Sequence, residues 1–339
     1  MEASVPVALG TRPRAARPYT LLHLTHEAGG CEPLEDALRR IQRDVEPHLK
    51  HKLWTLGQPT TVISMTSLRK FIPSWATIWQ QIQYNKIQEC LMFKQAGILT
   101  PKFKSVSKGI EPDLSEFGEY VIVKPARGGC GAFVRVMRRN KVRWRPVEVD
   151  RVKSGINDAL IVQEYIHTGP WPVSYRVGTV FGEPIYALHI KAGRMREPFN
   201  DALGLSPKFF EGRTIVASSK GCTMDGNVPE DVIEFARRIH RVFPTIPLLG
   251  IDIVREHRTG KLYALEVNSS GWTFHLANEK KERIQNEFGL DLLKQFGGAR
   301  AIARGIYNRL FWKNQEQEIF SSGFKVEKVE RGLEEVLTK

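Results

Sequence analysis

Apolar positions in this chain gather into short runs separated by polar, glycine-containing turns, and fewer stretches carry the three-to-four-residue spacing of a helix. The pattern is most informative from Leu248 to Gly271, where LLGIDIV and LYALEVN flank REHRTGK and predict a β-hairpin. With the turn centred near Thr259, Asp252 lies across from Glu266, and the two-residue period brings Asn268 onto the same face. Two carboxylates directly opposite one another repel, so something must offset them. Two acids and an amide carbonyl are hard oxygen donors, the set that suits Mg²⁺ bridging to phosphates. The plain alternative is a pair of exposed acids neutralised by nearby Lys or Arg. The acids interrupt runs that read as buried, where an unpaired charge is costly, and this favours the metal reading.

Upstream, YTLLHL from Tyr19 and TTVISM from Thr60 to Met65 read as strands. Between them Pro33 to Lys50 predicts a helix with Leu34, Ala37, Leu38, Ile41 and Val45 on one face. This βαβ-like fragment lacks a GxGxxG turn, so it is not expected to bind a dinucleotide alone. Trp75, Ile78, Trp79 and Ile82 have helical spacing and predict a helix with an aromatic stripe in the core. Asn85 and Gln88 form a capping-box signature for the next helix, KIQECLMFKQAG, closed by Gly97 with Pro101 beyond. Lys86 falls in its first turn, where the helix dipole is already positive, and a phosphate nearby would resolve that conflict.

Tyr120 to Lys124, YVIVK, reads as a buried strand running into PARGGCGAF, with FVRVM as its hairpin partner. This is not a Walker A motif, which needs GxxxxGK and a Ser or Thr before a helix. Gly128, Gly129 and Gly131 still permit an anion-binding nest, with Lys124 a point charge at the strand's end; an ordinary glycine-rich turn is the alternative. The cation-rich run from Arg135 to Lys153 reads as a solvated basic face. ALIVQEYI, Ala159 to Ile166, predicts a strand, and RVGTVFGEPIYALHIK a hairpin turning at Gly182, with Arg176 and Lys191 at its ends. Pro229 opens a helix with Val232, Ile233, Ala236, Ile239 and Val242 inward. Helices from Glu279 to Phe296 and Ala299 to Trp312 follow, and the charged segment to Lys339 reads as a surface helix or loose tail.

A length of 339 residues allows two or three domains. The formal net charge of +13 implies anionic partners, for which nucleotide phosphates, an acidic substrate and nucleic acid all qualify. Cys31, Cys90, Cys130 and Cys222 lack metal-site or redox spacing and predict free thiols in a reducing, cytoplasmic compartment. No apolar run approaches the roughly 18 residues of a membrane span. The Arg-rich TRPRAARP reads as a flexible basic arm, with an organelle transit peptide as the alternative.

Taken in order, these pieces resemble an ATP-grasp enzyme: a Lys at a helix start in NKIQECLMFKQAGILTP, a second Lys before the glycine-rich loop in VIVKPARGGCGAF, then QEYI, RVGTVFGEPIYAL, GIDIV and LEVNSSG. Over about Asn85 to Leu310 the chain is similar to the glutamate ligases that extend ribosomal protein tails and to glutathione synthetase. The resemblance implies an α+β ATP-grasp fold, two α+β subdomains clamping ATP, preceded by a short α/β segment. Its divisions would be a basic arm (1–18), the α/β segment (19–84), a small subdomain with a glycine-rich lid (85–158), a subdomain with the Mg²⁺ site (159–314) and a charged tail (315–339). Lys86, Lys124 and the lid, Arg127 with Gly128, Gly129 and Gly131, would contact phosphates. Gln163, Glu164, Tyr165 and Ile166 match the adenine slot, where Glu164 and Ile166 would offer backbone groups to the base. Asp252, Glu266 and Asn268 match the ligands of Mg²⁺, two ions with Mn²⁺ as a substitute, and Arg176 and Lys191 match catalytic cations near the acyl phosphate and γ-phosphate. The chain departs from its relatives at Ser174, where they carry an acid for the ribose hydroxyls, and at NSSG, where they carry asparagine, a small residue, proline and glycine.

The implied chemistry is ATP-dependent carboxylate–amine ligation through an acyl phosphate. Amino acids, peptides or other small carboxylates and amines would be its substrates, an acidic donor being favoured by Lys191, Arg194, Arg196, Lys208 and Arg213. Asp252→Asn and Glu266→Gln are then expected to remove Mg²⁺-dependent turnover and leave the fold intact. The rivals are a kinase on the same fold, a non-catalytic nucleotide-binding protein, and a nucleic-acid binder, the last disfavoured because RNP, KH and zinc-finger signatures are missing.

Overall fold

Strand pairing sorts the chain into three sheets among the residues that the computed structural model describes, which are 20–24, 60–64, 76–110, 112–128, 133–145, 159–192, 222–270, 273–276 and 279–311. The arm (1–18), the helix expected over 33–50, Cys31, Gly129, Cys130, Gly131, the loop cations Arg194, Arg196, Lys208 and Arg213, and the tail (315–339) lie outside the described residues.

The first sheet is parallel, with β1 (Thr20–Leu24), β2 (Thr60–Ser64) and β3 (Ala76–Gln80) side by side. β3 replaces the helix expected over Trp75 to Ile82. Four apolar positions across two helical turns are too few to fix a period, and the β-branched Thr77 and Ile78 suit pairing along β2. The aromatic stripe is still core at Trp79, which is buried edge-on to Phe181 at 5.2 Å between ring centroids.

The second sheet is antiparallel, in the order β4 (Phe103–Val106), β7 (Leu160–Glu164), β5 (Tyr120–Pro125), β6 (Arg135–Arg138). β7 pairs on both sides, so the sheet continues to Glu164 and does not end at residue 158. The third sheet is also antiparallel, in the order β10 (Thr223–Asp225), β9 (Glu183–Lys191), β8 (Val173–Val180), β11 (Leu248–Arg255), β12 (Leu262–Asn268). Phe181 and Gly182, at φ 47° and 86°, make the β8–β9 turn, the paired positive φ values that match the twist of a tight hairpin.

Helix α1 (Lys86–Gln95) starts where its capping box predicts: Asn85 Oδ1 accepts from Gln88 N at 2.9 Å, and Gln88 Oε1 accepts from Asn85 N at 2.9 Å. It joins two cores. Ile87 and Cys90 pack with Ala126 and Ile161 of the second sheet, while Met92 and Phe93 pack into the core of the third. That core is closed by α2 (Glu230–Arg241), whose Val232, Ile233, Ala236 and Ile239 meet Val177, Leu249 and Ile251. The opposite face is covered by α3 (Glu279–Phe288), α4 (Leu292–Gln295) and α5 (Ala299–Phe311). A continuous helix to Phe296 is interrupted at Gly289, φ 67°, after which Asp291 caps α4 through Leu293 N. Among the described residues no helix is long and apolar enough to cross a membrane.

His240 on α2 is fully buried, with Nδ1 2.7 Å from Thr179 Oγ1 and Nε2 3.1 Å from Ile246 O. Burial, aided by the nearby Arg309 charge, pushes its pKa down from 6.5 to about 3. Below pH 6.5 the unfolded chain therefore takes up a proton that the folded chain refuses, and stability drains away as pH falls from 6.5 toward 3. Urea unfolding midpoints measured between pH 7 and 5 are expected to fall, and the fall to be shallower in His240→Gln.

Candidate active site

The hairpin of β11 and β12 pairs Asp252 with Glu266 and Gly250 with Asn268, the register that a turn near Thr259 requires. A bulge after Asp252 shifts the outer half so that Ile253 faces Ala264. On the other side of β11, Asp252 faces Arg176 of β8. Strand alternation therefore sets Arg176, Asp252, Glu266 and Asn268 on one face of the third sheet, and Lys124, at the end of β5, reaches Glu266 from the second.

These side chains form a half-buried chain of charges, in which Lys124 alone is buried. Arg176 holds both oxygens of Asp252, Nε to Oδ1 at 2.7 Å and Nη2 to Oδ2 at 2.5 Å, and Asn268 Nδ2 lies 3.3 Å from the same Oδ2. Glu266 Oε2 is 3.5 Å from Lys86 Nζ and 3.8 Å from Lys124 Nζ, and Lys86 Nζ also donates to Gly128 O at 2.6 Å. Burial opposes ionisation of Glu266, yet Lys86, Lys124 and Arg176 together hold its pKa at about 2. Burial works against the guanidinium too, and Asp252 outweighs it and raises Arg176 above its ordinary range.

Glu89, one turn after Lys86 on α1, was not singled out in the sequence. It is 4% exposed and accepts a hydrogen bond from Val267 N at 3.2 Å. Burial, then Glu266, pushes its pKa up to about 8. Its signal was available as an acid one turn after Lys86 in a helix whose capping box fixes where the first turn begins. A cavity of about 170 Å³ is lined by Glu89, Lys86, Glu266 and Asn268 with the chain segments Gln81–Tyr84, Ala126–Gly128 and Ser269–Ser270.

Other expected site residues lie at varying remove. Arg127, exposed, and Gly128 border the cavity. Gln163 is buried and donates to Cys90 Sγ at 3.3 Å, and Glu164 N is committed to Lys102 O at 2.8 Å, which removes that N–H from the adenine slot. Tyr165 and Ile166 follow β7, half-buried. Ser174 shares the face of Arg176, two residues away on β8. Lys191 does not join this group. It pairs with Val173, so it sits on the face of Tyr175 and His189, opposite Arg176, and its Nζ lies 3.4 Å from Asp225 Oδ2. The sequence put both cations at hairpin ends, but an odd separation from the register partner of Arg176, Leu188, reverses the face.

A match to the ATP-grasp domain covers residues 84–270, the segment that holds every charge in this cluster. The chain belongs to the ATP-grasp family. Its ATP-grasp fold is similar to that of the D-alanine–D-alanine ligase of Bacillus anthracis, at 11% identity over 84% of this chain and 98% of that one, TM-score 0.44. The D-cycloserine synthetase DcsG matches at 14% identity over 86% and 99%, TM-score 0.44. The ATP-grasp ligase PsnB, in a complex with a phosphomimetic variant of its minimal precursor, Mg and ADP, matches at 16% identity over 67% of this chain, TM-score 0.42, and the chain spans 58% of PsnB's length. No curated protein matches the chain in sequence.

The ATP-grasp domain's donor set fits a divalent cation by chemistry. Among the described residues no three His, Cys, Asp or Glu side chains cluster for a metal, and the set on the hairpin face is two carboxylates with one amide, all capable of hard oxygen ligation. The Arg176–Asp252 contact alters one expectation, since Asp252→Asn strands a buried guanidinium. Breaking such a pair is expected to cost about 3 to 5 kcal/mol, whereas an Arg176→Met and Asp252→Leu double variant should recover most of it. Urea titration of the three proteins checks this, and equal losses in single and double variants would contradict it.

Proposed function

We propose that the protein is an ATP-dependent carboxylate–amine ligase that makes an amide or peptide bond through an acyl phosphate and releases ADP and inorganic phosphate. The observation that supports this most is the meeting of Lys86, Lys124 and Arg176 with the cross-strand acids Asp252 and Glu266 inside an ATP-grasp domain. A carboxylate oxygen is a poor leaving group at neutral pH. The substrate carboxylate therefore attacks the γ-phosphorus, the bond to the β-phosphate oxygen breaks, and ADP leaves. The amine then attacks the activated carbonyl, phosphate departs with the C–O electrons, and the amine's proton passes to solvent.

Positioning and charge neutralisation dominate this chemistry. Lys86 and Lys124 take the triphosphate, Gly128 with Gly129 and Gly131 covers it, and Arg176 meets the charge that develops on the acyl phosphate. Gln163 to Ile166 receive the base and Ser174 stands beside the ribose. Asp252, Glu266 and Asn268 would hold Mg²⁺, two ions with Mn²⁺ able to substitute, and the metal when bound neutralises phosphate oxygens. An acidic amino acid or peptide is the donor class that the net charge of +13 favours. The buried thiol of Cys90 supports a cytoplasmic setting.

Lys124→Met is expected to weaken ATP binding far more than adenosine binding, as calorimetry with both ligands would measure; equal losses would make Lys124 a structural residue. Turnover with a cognate carboxylate and amine should release ADP and phosphate in equal amounts, and hydroxylamine in place of the amine should yield a hydroxamate. ADP formation without phosphate, with the label of γ-³²P-ATP retained on an alcohol product, would assign a kinase instead.

A further inference from the structure

Helix α1 belongs to two cores at once: Ile87 and Cys90 pack on the second sheet, Met92 and Phe93 on the third. Apolar packing of that kind sets the helix in place but tolerates small slides along its axis, because dispersion contacts are weakly directional. On its site-facing side Lys86 N donates to Ala126 O at 2.9 Å, toward the second sheet, and one side chain ties the helix to β12 of the third. Glu89 accepts from Val267 N at 3.2 Å, and Val267 stands between Glu266 and Asn268 on β12. β12 is the edge strand of its sheet, so this N–H has no strand partner on its outer side and would otherwise be a buried, unsatisfied donor. One helical turn before Glu89, Lys86 Nζ lies 3.5 Å from Glu266 Oε2 and 2.6 Å from Gly128 O.

We propose that Glu89 is a positioning residue: by gripping the backbone between Glu266 and Asn268 it fixes the reach of Lys86 to the oxygen ligands and to the Gly128 loop. It acts through those groups and needs no contact with a substrate. The inference rests on the nucleotide-and-metal reading of the same site. Four observations support it together: the burial of Glu89, its bond to the one residue flanked by both ligands, the placement of Lys86 one turn away, and the shared cavity that all of them line. Outer partners that orient metal ligands typically cost on the order of tenfold to a hundredfold in metal affinity when removed.

The test compares wild type, Glu89→Gln, Glu89→Leu, Lys86→Met and the Glu89→Leu/Lys86→Met double variant. Readouts are Mn²⁺ binding by electron paramagnetic resonance in the presence of a non-hydrolysable ATP analogue, affinity for the analogue by calorimetry, and thermal unfolding. Glu89→Gln keeps a carbonyl acceptor for Val267 N and is expected to remain near wild type in both affinities. Glu89→Leu is expected to lose on the order of tenfold in Mn²⁺ affinity. For the analogue, the double variant should lose no more than the worse single variant, because Glu89 acts through Lys86. Losses in the double variant that multiply, or a Glu89→Leu protein with a lower Tm and unchanged affinities, would overturn the proposal and leave Glu89 a purely structural residue. Wild type that binds neither analogue nor Mn²⁺ would overturn the nucleotide reading and this inference with it. Wild-type binding with unaltered variants would overturn the inference alone.

Discussion

The ion pair between Arg176 and Asp252 is the constraint to which the rest of the site answers. Burying one carboxylate or one guanidinium costs several kcal/mol, and only close, well-aligned pairing returns it. The cross-strand register of β8, β11 and β12 delivers that alignment, since Arg176, Asp252 and Glu266 lie abreast on three adjacent strands. A row of cation, acid, acid is unbalanced on its own. The deficit is reversed from outside the sheet, by Lys86 on α1 and Lys124 on β5, which leaves one cation in excess for an anion to meet. Thus the electrostatics of one hairpin require the second sheet and the helix that bridges both cores to come to the same place.

Such a cluster is a set of exchangeable partners. Three cations face the acids Asp252 and Glu266, while burial and the neighbouring Glu266 raise the pKa of Glu89 to about 8 and favour its neutral form. In the proposed reaction a triphosphate offers the lysines and Arg176 oxygens of higher charge than a carboxylate's, and Asp252 and Glu266 are released toward a cation. Each exchange swaps one ion pair for another, so the protein's own charges, desolvated once in folding, are not desolvated a second time on binding, and only the ligand's hydration is lost. The same logic explains why a cluster that stabilises the protein weakly can still be sensitive to single changes: the energy lies in leaving a charge without a partner.

Much of this was legible in the sequence where a short-range rule sufficed. The period of two placed Asp252, Glu266 and Asn268 on one face, and Asn85 with Gln88 fixed the start of α1 and hence Lys86. The misreadings share a different cause, dependence on a partner far away in the chain. β3 looked helical because its pairing with β2 is invisible locally, and β7 looked like the opening of the second subdomain although it sits between β4 and β5. Lys191 is a related case. Being near the end of a hairpin says nothing of face, and only the register with Val173 does. Glu89 was missed because an acid in a first helical turn is ordinary on dipole grounds, and its burial depends on an edge strand some 178 residues away.

That last distance bears on how the two sheets meet. The core of the second sheet, built from Val106, Leu114, Phe117, Val121 and Val123, is separate from the two cores that sandwich the third. The sheets meet instead through α1, through the charges, and through hydrogen bonds from Ala264 N to Leu99 O at 2.9 Å, Thr100 Oγ1 to Ala264 O at 2.9 Å and His257 N to His167 O at 2.8 Å. A junction built from apolar packing alone would be set by shape and would be indifferent to what occupies the cleft. The part of this junction built from Lys86, Lys124 and Glu266 is held by the same groups that the proposed nucleotide would engage, so occupancy of the cleft bears on the seating of one sheet on the other. Helix α1 lies at the centre of it: its apolar residues belong to both cores, and Lys86 and Glu89 of its first turn face the cavity between them.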